Sequence, residues 1–380
     1  DLTDDKAALD KLVKEKGFNV WPALYDQQQY WFHNPELPSV NPWVAGNELS
    51  SELFVMVRNP YFWHVDEAGN QLPYIDKVIH RLFTTVDTFN MWIIGGEIDY
   101  QARHVDAANI TLFKENEAKG DYKVYWAAAD STASFVINHT IEDPNKRAFF
   151  QNRDVRLALS YAINREEIND LVYDGIYIPR QYSPPSNSPQ YYPKLTNAYI
   201  EYDPDKANAL LDKAGYTKRD SEGYRLWPDG SGRVGFTIEE SAPNDEITMV
   251  IKYWKDVGIF CSEKYSERSL LEERKQSNLV DCRYTWCSRA VLPMVDPSFF
   301  LGFALDKTWA QKWSQWRVDP SSPVAEEPPP DQYIRKMWEI WDKDINTEVD
   351  EKKQTEHFWR ILDIWVEELP FPGTLGEGPQ

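Results

Sequence analysis

Cysteine is nearly absent: Cys261, Cys282 and Cys287 are all there is in 380 residues. An odd count cannot complete a disulfide framework, and no pair has the two-residue spacing of a zinc ribbon, so buried thiols are expected. Histidine is as sparse, with His33, His64, His80, His104, His139 and His357 scattered too widely to form a metal site, and no cofactor is expected. Mean hydropathy is −0.61 and no apolar run reaches membrane-spanning length, which excludes a transmembrane helix within these residues. Cations are outnumbered, 41 Lys+Arg against 61 Asp+Glu; the formal charge of −20 removes the basic surface that nucleic acid or an anionic membrane requires. Catalytic signatures are missing as well: there is no GxSxG, P-loop or GxGxxG, and no family signature surrounds a Cys/His pair.

What is plentiful is aromatic surface, with 16 Trp and 21 Tyr. Such side chains are mostly core, but a flat face with a polar tip also suits a ligand that has apolar faces and hydroxyls. At roughly 100–200 residues per domain the length predicts two or three domains.

Leu9, Leu12 and Val13 at helical spacing predict a helix over 3–16, with Thr3 or Asp4 as cap and Gly17 as stop. The Asn-, Pro-, Tyr- and Trp-rich stretch that follows, to 43, reads as an irregular connection. Strands are expected at 53–58 and 75–83, a helix at 86–94, a short strand around Ile98, a helix at 107–118, and strands at 123–128 and 133–138. A turn at 143–146 precedes the clearest helical pattern, 155–173, then a loop at 179–193 and a capped helix at 203–214. From 234 onward strands (234–240, 259–265, 280–286) alternate with helices (246–256, 270–276), predicting a parallel sheet whose ligands approach the carboxyl ends of the strands. A Pro-rich link over 321–330 leads to two Trp-rich helices whose stripes, Ile334/Met337/Trp338/Trp341/Ile345 and Phe358/Ile361/Leu362/Trp365, read as core.

The carboxylate excess keeps a glycoside hydrolase open as an alternative, since such enzymes work with paired Asp/Glu. No pair is privileged, however: Glu239 and Glu240 are adjacent on a strand and point to opposite faces. The lack of motifs argues against an enzyme.

Several ordered segments carry a resemblance. They are 57–63 (VRNPYFW) with 72–78 (LPYIDKV) and 96–99 (GEID), then 155–165 (VRLALSYAINR), 202–216 (YDPDKANALLDKAGY) and 285–300 (TWCSRAVLPMVDPSFF). Together they resemble the solute-binding proteins of ABC importers, specifically the oligopeptide, dipeptide and nickel-binding family (family 5). The resemblance implies an α/β, periplasmic-binding-protein type II-like two-lobed architecture, in which the first lobe is built from both ends of the chain and the second is inserted. The family's chain is longer, the first motif here appears only at 57, and 369–374 (LPFPGT) is similar to the family's second hinge strand. A fragment with one lobe partial is therefore expected: 1–138 as partial first lobe, 139–372 as second lobe with the C-terminal helices, and 373–380 as the start of the return. Such a fragment is expected to bind solute weakly.

The implied protein is extracellular or periplasmic, membrane-anchored in its full-length form, monomeric, and hands its solute to the permease subunits. In peptide-binding members the segment matching Trp286 continues, three residues on, to an Asp that pairs with the peptide's terminal ammonium; here that place is taken by Arg289. A cation facing an ammonium repels it, so the resemblance favours an oligosaccharide of the cello-oligosaccharide kind, with an oligopeptide or dipeptide as the alternative. The stretch 309–330 (WAQKWSQWRVDP through AEEPPP) is similar to the oligosaccharide-binding branch. Expected ligand contacts are Trp286 as stacking platform, Arg289 as polar orienter, Gln101 and Arg103 after GEID, Asn138 at the first hinge, and Trp313 as a second stacking face. The competing readings are core for Trp286 and Trp313, and surface ion pairs for Arg103 and Arg289.

Overall fold

The computed structural model describes residues 5–105, 109–125, 130–303 and 309–378, and its compact parts divide between Val124 and Tyr125. In the first unit, α1 (Lys6–Glu15) is capped by Asp5, whose carboxylate accepts the Ala8 N–H at 2.9 Å; Thr3 and Asp4 lie outside the described residues. A helix that sequence pattern misses, α2 (Trp21–Gln28), starts with Pro22 in its first turn and buries only Leu24, so no apolar stripe announces it. Strands β1 (Trp43–Ala45), β2 (Leu53–Arg58) and β3 (Lys77–Arg81) form an antiparallel sheet in that order. Helices α3 (Val86–Ile94) and α4 (Ile110–Gly120) follow. The strand expected at Ile98 does not form. Gly95, Gly96 and Glu97 still donate their N–H groups back into α3, and Gly96 (φ +73°) lies so close to the end of α4 that a Cβ there would sit 2.4 Å from the Gly120 carbonyl oxygen. Of the strand expected at 123–128, residues 123–125 are irregular and 126–128 lie outside the described residues.

The second unit opens with β4 (Thr132–Ile137), then α5 (Pro144–Gln151), α6 (Arg153–Tyr161), α7 (Arg165–Tyr173), β5 (Ile178–Pro179), α8 (Pro193–Thr196) and α9 (Pro204–Lys213). It continues through β6 (Gly235–Glu240), α10 (Asp245–Asp256), β7 (Phe260–Tyr265), α11 (Arg268–Gln276), β8 (Cys282–Cys287), α12 (Ser298–Leu301) and α13 (Gln311–Val318). It closes with α14 (Tyr333–Ile340), which runs into a π-helical turn, α15 (Glu351–Glu368) and β9 (Gly373–Gly376). The sheet order is β5-β9-β4-β8-β6-β7. As the strand–helix alternation predicts, β6 is parallel to both β7 and β8, whereas β4 runs antiparallel to β8 and β9. Every residue of β4 is buried at the middle of this sheet. β4 therefore belongs to the second unit, and the division falls before this strand, whereas sequence placed it after residue 138.

Capping explains two further differences. The pair Asp143-Pro144, expected as a turn, starts α5: the Asp143 carboxylate accepts the N–H groups of Asn145 and Lys146 while Pro144 takes the first helical position. The pattern expected as one helix over 155–173 breaks after α6 because Asn164 leaves the helical region and its side chain accepts the Glu167 N–H, starting α7.

Aromatics fill the core as expected. Trp254, Trp309 and Trp365 are fully buried, and each indole N–H donates to a backbone carbonyl, those of Leu159 (3.0 Å), Phe299 (2.9 Å) and Phe300 (2.9 Å). The stripes on α14 and α15 face inward, with Ile334, Met337, Trp338, Phe358, Ile361, Leu362 and Trp365 buried. Among the described residues no helix is long and apolar enough to cross a membrane, and the three cysteines are buried thiols.

Candidate functional site

The second unit contains a cavity of about 430 Å³. Its position follows from the pleat of the sheet. Val136 on β4 pairs with Arg283 on β8, and Ser134 with Thr285, so these residues share one face; Phe135, Tyr284 and Trp286 belong to the other. Arg283 and Thr285 form one wall with Val136 and Asn138, and α11 forms another with Arg268, Glu272, Lys275 and Gln276; Phe299, Gln311, Val280, Trp286 and Ser288 complete the lining. On α11 those four positions recur at a spacing of three and four residues, which sets them on one side of the helix.

The lining is rich in cations although the chain is acidic. Glu272 accepts from Lys275 at 2.6 Å and stands 3.2 Å from an Arg283 Nη1. Burial pushes the Glu272 carboxyl up, but Lys275, Arg283 and Arg268 together outweigh it, so the group stays below the usual carboxylate range and is ionised at neutral pH. The Arg283 Nε is buried without a hydrogen-bond partner, 3.7 Å from the Glu240 carboxylate.

The residues singled out from sequence fall in different places. Trp286 borders the cavity, but its ring packs against Tyr177 (centroids 5.0 Å apart) and, edge-on, Tyr173 (6.0 Å), on the face opposite Arg283. Asn138 lines the cavity with its amide already satisfied: Nδ2 donates to Asn278 Oδ1 (2.8 Å) and the Val280 carbonyl (3.1 Å), and Oδ1 accepts the Thr140 N–H (2.9 Å). Arg289 sits outside the cavity lining in the left-handed region (φ +69°), its guanidinium paired with Asp296 and its N–H donating to Asp130 at 2.9 Å. Trp313 is fully buried beside His139 and presents no open face. Gln101 and Arg103 are exposed in the first unit, where the Gln101 amide donates to the Arg103 carbonyl at 2.6 Å.

Sequence reading passed over the α11 residues and Arg283. The one signal available was the alternation of β8, which sets Arg283 on the face opposite Trp286. Asn138→Ala is expected to destabilise the second unit by about 1–3 kcal/mol, because the Thr140 N–H loses its acceptor and the Val280 carbonyl a donor, while Asn278 keeps its bonds to Thr140. Urea unfolding compared with the unaltered chain measures it.

Residues 18–310 match the family described as bacterial extracellular solute-binding proteins, family 5, middle part. The chain belongs to this family. A solved family 5 structure, an oligopeptide-binding protein OppA, is 35% identical with a TM-score of 0.66, covering 96% of this chain and 61% of that one. The α/β fold of two-lobed periplasmic binding proteins thus extends over most of the chain. Among curated family 5 relatives, the periplasmic alpha-galactoside-binding protein of Rhizobium meliloti is 27% identical over 211 residues, 51% of this chain and 29% of its own length. An OppA of Lactococcus lactis subsp. lactis is 26% identical over 227 residues, 57% of this chain and 36% of its own. The chain therefore spans well under two thirds of the length of the curated family 5 relatives it matches.

Proposed function

We propose that this chain is the solute-holding part of an ABC importer's binding protein, that its cavity takes an oligosaccharide, and that it acts outside the cytoplasm and delivers the solute to permease subunits. The observation that carries the ligand reading is the lining. Arg283, Lys275 and Arg268 offer donors, Glu272 and Gln311 offer acceptors, and Phe299 an apolar face, the mixture that hydroxyl-rich rings require. The alpha-galactoside-binding relative supports it. No covalent step belongs to this reading.

The 35% identity to a solved OppA favours a second reading, in which the cavity's cations hold a peptide carboxylate. Thermal melts with cello- and xylo-oligosaccharides in one series and di- and tripeptides in another separate the two, since a ligand of the folded state at about 100 times its Kd adds about 2.7 kcal/mol. Sugars are expected to raise the midpoint, and Arg283→Gln to weaken that binding roughly tenfold or more through loss of a charged hydrogen bond. Stabilisation by peptides alone would overturn the sugar assignment, and release of shortened sugars would overturn the binding-protein reading.

A further inference from the structure

The cavity's two walls are held in different ways. The β4–β8 wall is part of the buried sheet, whereas α11 buries only Leu271 of its nine residues and leaves Leu270 exposed. A helix this short is not stable by itself and has almost no apolar stripe to dock it. What docks it is polar. The Arg274 guanidinium donates from Nε (2.8 Å) and Nη2 (2.7 Å) to the two oxygens of Glu239, and Nη2 also reaches the Leu279 carbonyl at 3.1 Å. Glu239 is buried on β6, with Lys264 3.5 Å away as its other cation.

We infer that α11 is a separately docked wall of the cavity, and that the Arg274–Glu239 fork, which does not line the cavity, is the positioning contact that sets where this wall stands. A bidentate guanidinium–carboxylate pair fixes rotation as well as distance, so it orients the face bearing Arg268, Glu272, Lys275 and Gln276. A second tie between α11 and the sheet, Glu272 to Arg283, lies in the cavity itself, where a solute acceptor competes for Arg283. When solute takes that guanidinium, the fork still orients the wall. The C-terminal end of α11 is anchored by buried Asn278 in the left-handed region (φ +59°), whose amide donates to the Thr140 carbonyl at 2.8 Å. The N-terminal end, Arg268 to Leu270, is exposed. Only the wall's effect on solute affinity rests on the function proposed above.

The test is hydrogen exchange on the full chain carrying Glu239→Gln together with Arg274→Gln, which removes both charges and leaves no unpaired buried carboxylate. Exchange over 268–276 is expected to quicken by about tenfold or more, with β4 and β8 unchanged, and Arg274→Lys to fall between, because an ammonium makes a point contact in place of a fork. Unchanged protection of α11, or equal loss across the whole unit, overturns the inference. Calorimetric titration with cellotriose and with a tripeptide supplies the second readout: affinity roughly tenfold weaker in the double variant supports the positioning role, and unchanged affinity for a solute that the unaltered chain binds overturns it. If the unaltered chain binds neither, the proposed function fails, while the exchange pattern still decides whether α11 is docked by the fork.

Discussion

Arg165→Met is expected to lower the stability of the second unit by about 3–5 kcal/mol, because the change strips partners from several buried carbonyls at once. The guanidinium is almost wholly enclosed, and its donors are distributed over three segments. Nε and Nη2 reach the Gly373 carbonyl (3.0 and 2.7 Å), Nη1 reaches those of Ser160 (3.0 Å) and Ile200 (3.1 Å), and Nη2 also reaches the Ser160 hydroxyl (2.8 Å). Methionine fills similar space and leaves those oxygens without their donor, at about 1–3 kcal/mol each before relaxation. Lysine, with one ammonium, cannot span Gly373 and Ile200 together, so Arg165→Lys is expected to fall between. Gly373 adds a steric reason for the grip: a Cβ there would lie 2.7 Å from the Tyr182 nitrogen, so the chain passes through a slot only glycine fits. Urea unfolding, with hydrogen exchange to assign the loss to the second unit, measures the effect; a change under about 1 kcal/mol would mean that water replaces the guanidinium.

Arg165 also shows where sequence reading stops. The segment 155–165 is legible as helical and as a family signature, but arginine is ordinarily exposed, and nothing in the periodicity says that Arg156 and Arg165 are both buried and bound to carbonyls. The strands β6 and β8 and the stripes of α14 and α15 were legible because buried positions recur along them, and β4, buried throughout, as a short apolar run. α2 and α5 were not, since the proline that opens each is also turn punctuation. The same ambiguity hides the cavity. Polar residues at Arg268, Glu272, Lys275 and Gln276 have the spacing of any solvated helix face, and only the placing of α11 over β8 turns that face into a wall. Trp286 and Asn138 were singled out from strand-end position and border the cavity; their partners, Tyr177 for one and Asn278 for the other, are distant in sequence and left no mark on it.

Two buried groups are expected to give this unit opposing pH slopes, separable by single variants. His139 is fully buried, with Nε2 donating to the Pro370 carbonyl at 2.8 Å, its ring against Trp309, and Nδ1 3.4 Å from the Tyr333 hydroxyl. Burial foremost, then the nearby Arg156 charge, holds its pKa well below 6.5, against a small upward pull from Pro370. Below that value the unfolded chain takes up a proton that the folded chain refuses. Stability is therefore lost as pH falls from 6.5, by up to about 1.4 kcal/mol per pH unit, until the folded histidine titrates. Glu246 acts in the opposite sense. It is fully buried, accepts from Tyr173 (3.0 Å) and Tyr284 (2.9 Å), and pairs with Thr374, whose hydroxyl also lies 3.0 Å from the Ala133 carbonyl. Burial is the main cause raising its pKa above 4.5, against the hydrogen bonds it accepts from Thr374, Tyr284 and Tyr173 and the Arg165 charge. The folded state then keeps a proton that the unfolded state releases, and stability is lost as pH rises from 4.5 through the folded pKa. In the unaltered chain the two slopes have opposite signs. His139→Gln, which retains an amide donor for Pro370, leaves the Glu246 slope, so this variant gains stability on acidification; Glu246→Gln leaves the His139 slope and loses it. Urea midpoints of the three proteins at several values between about pH 5 and pH 7, taken as differences so that the surface carboxylates cancel, are expected to diverge in opposite directions. Parallel profiles would show that neither group keeps its buried protonation state in the folded chain.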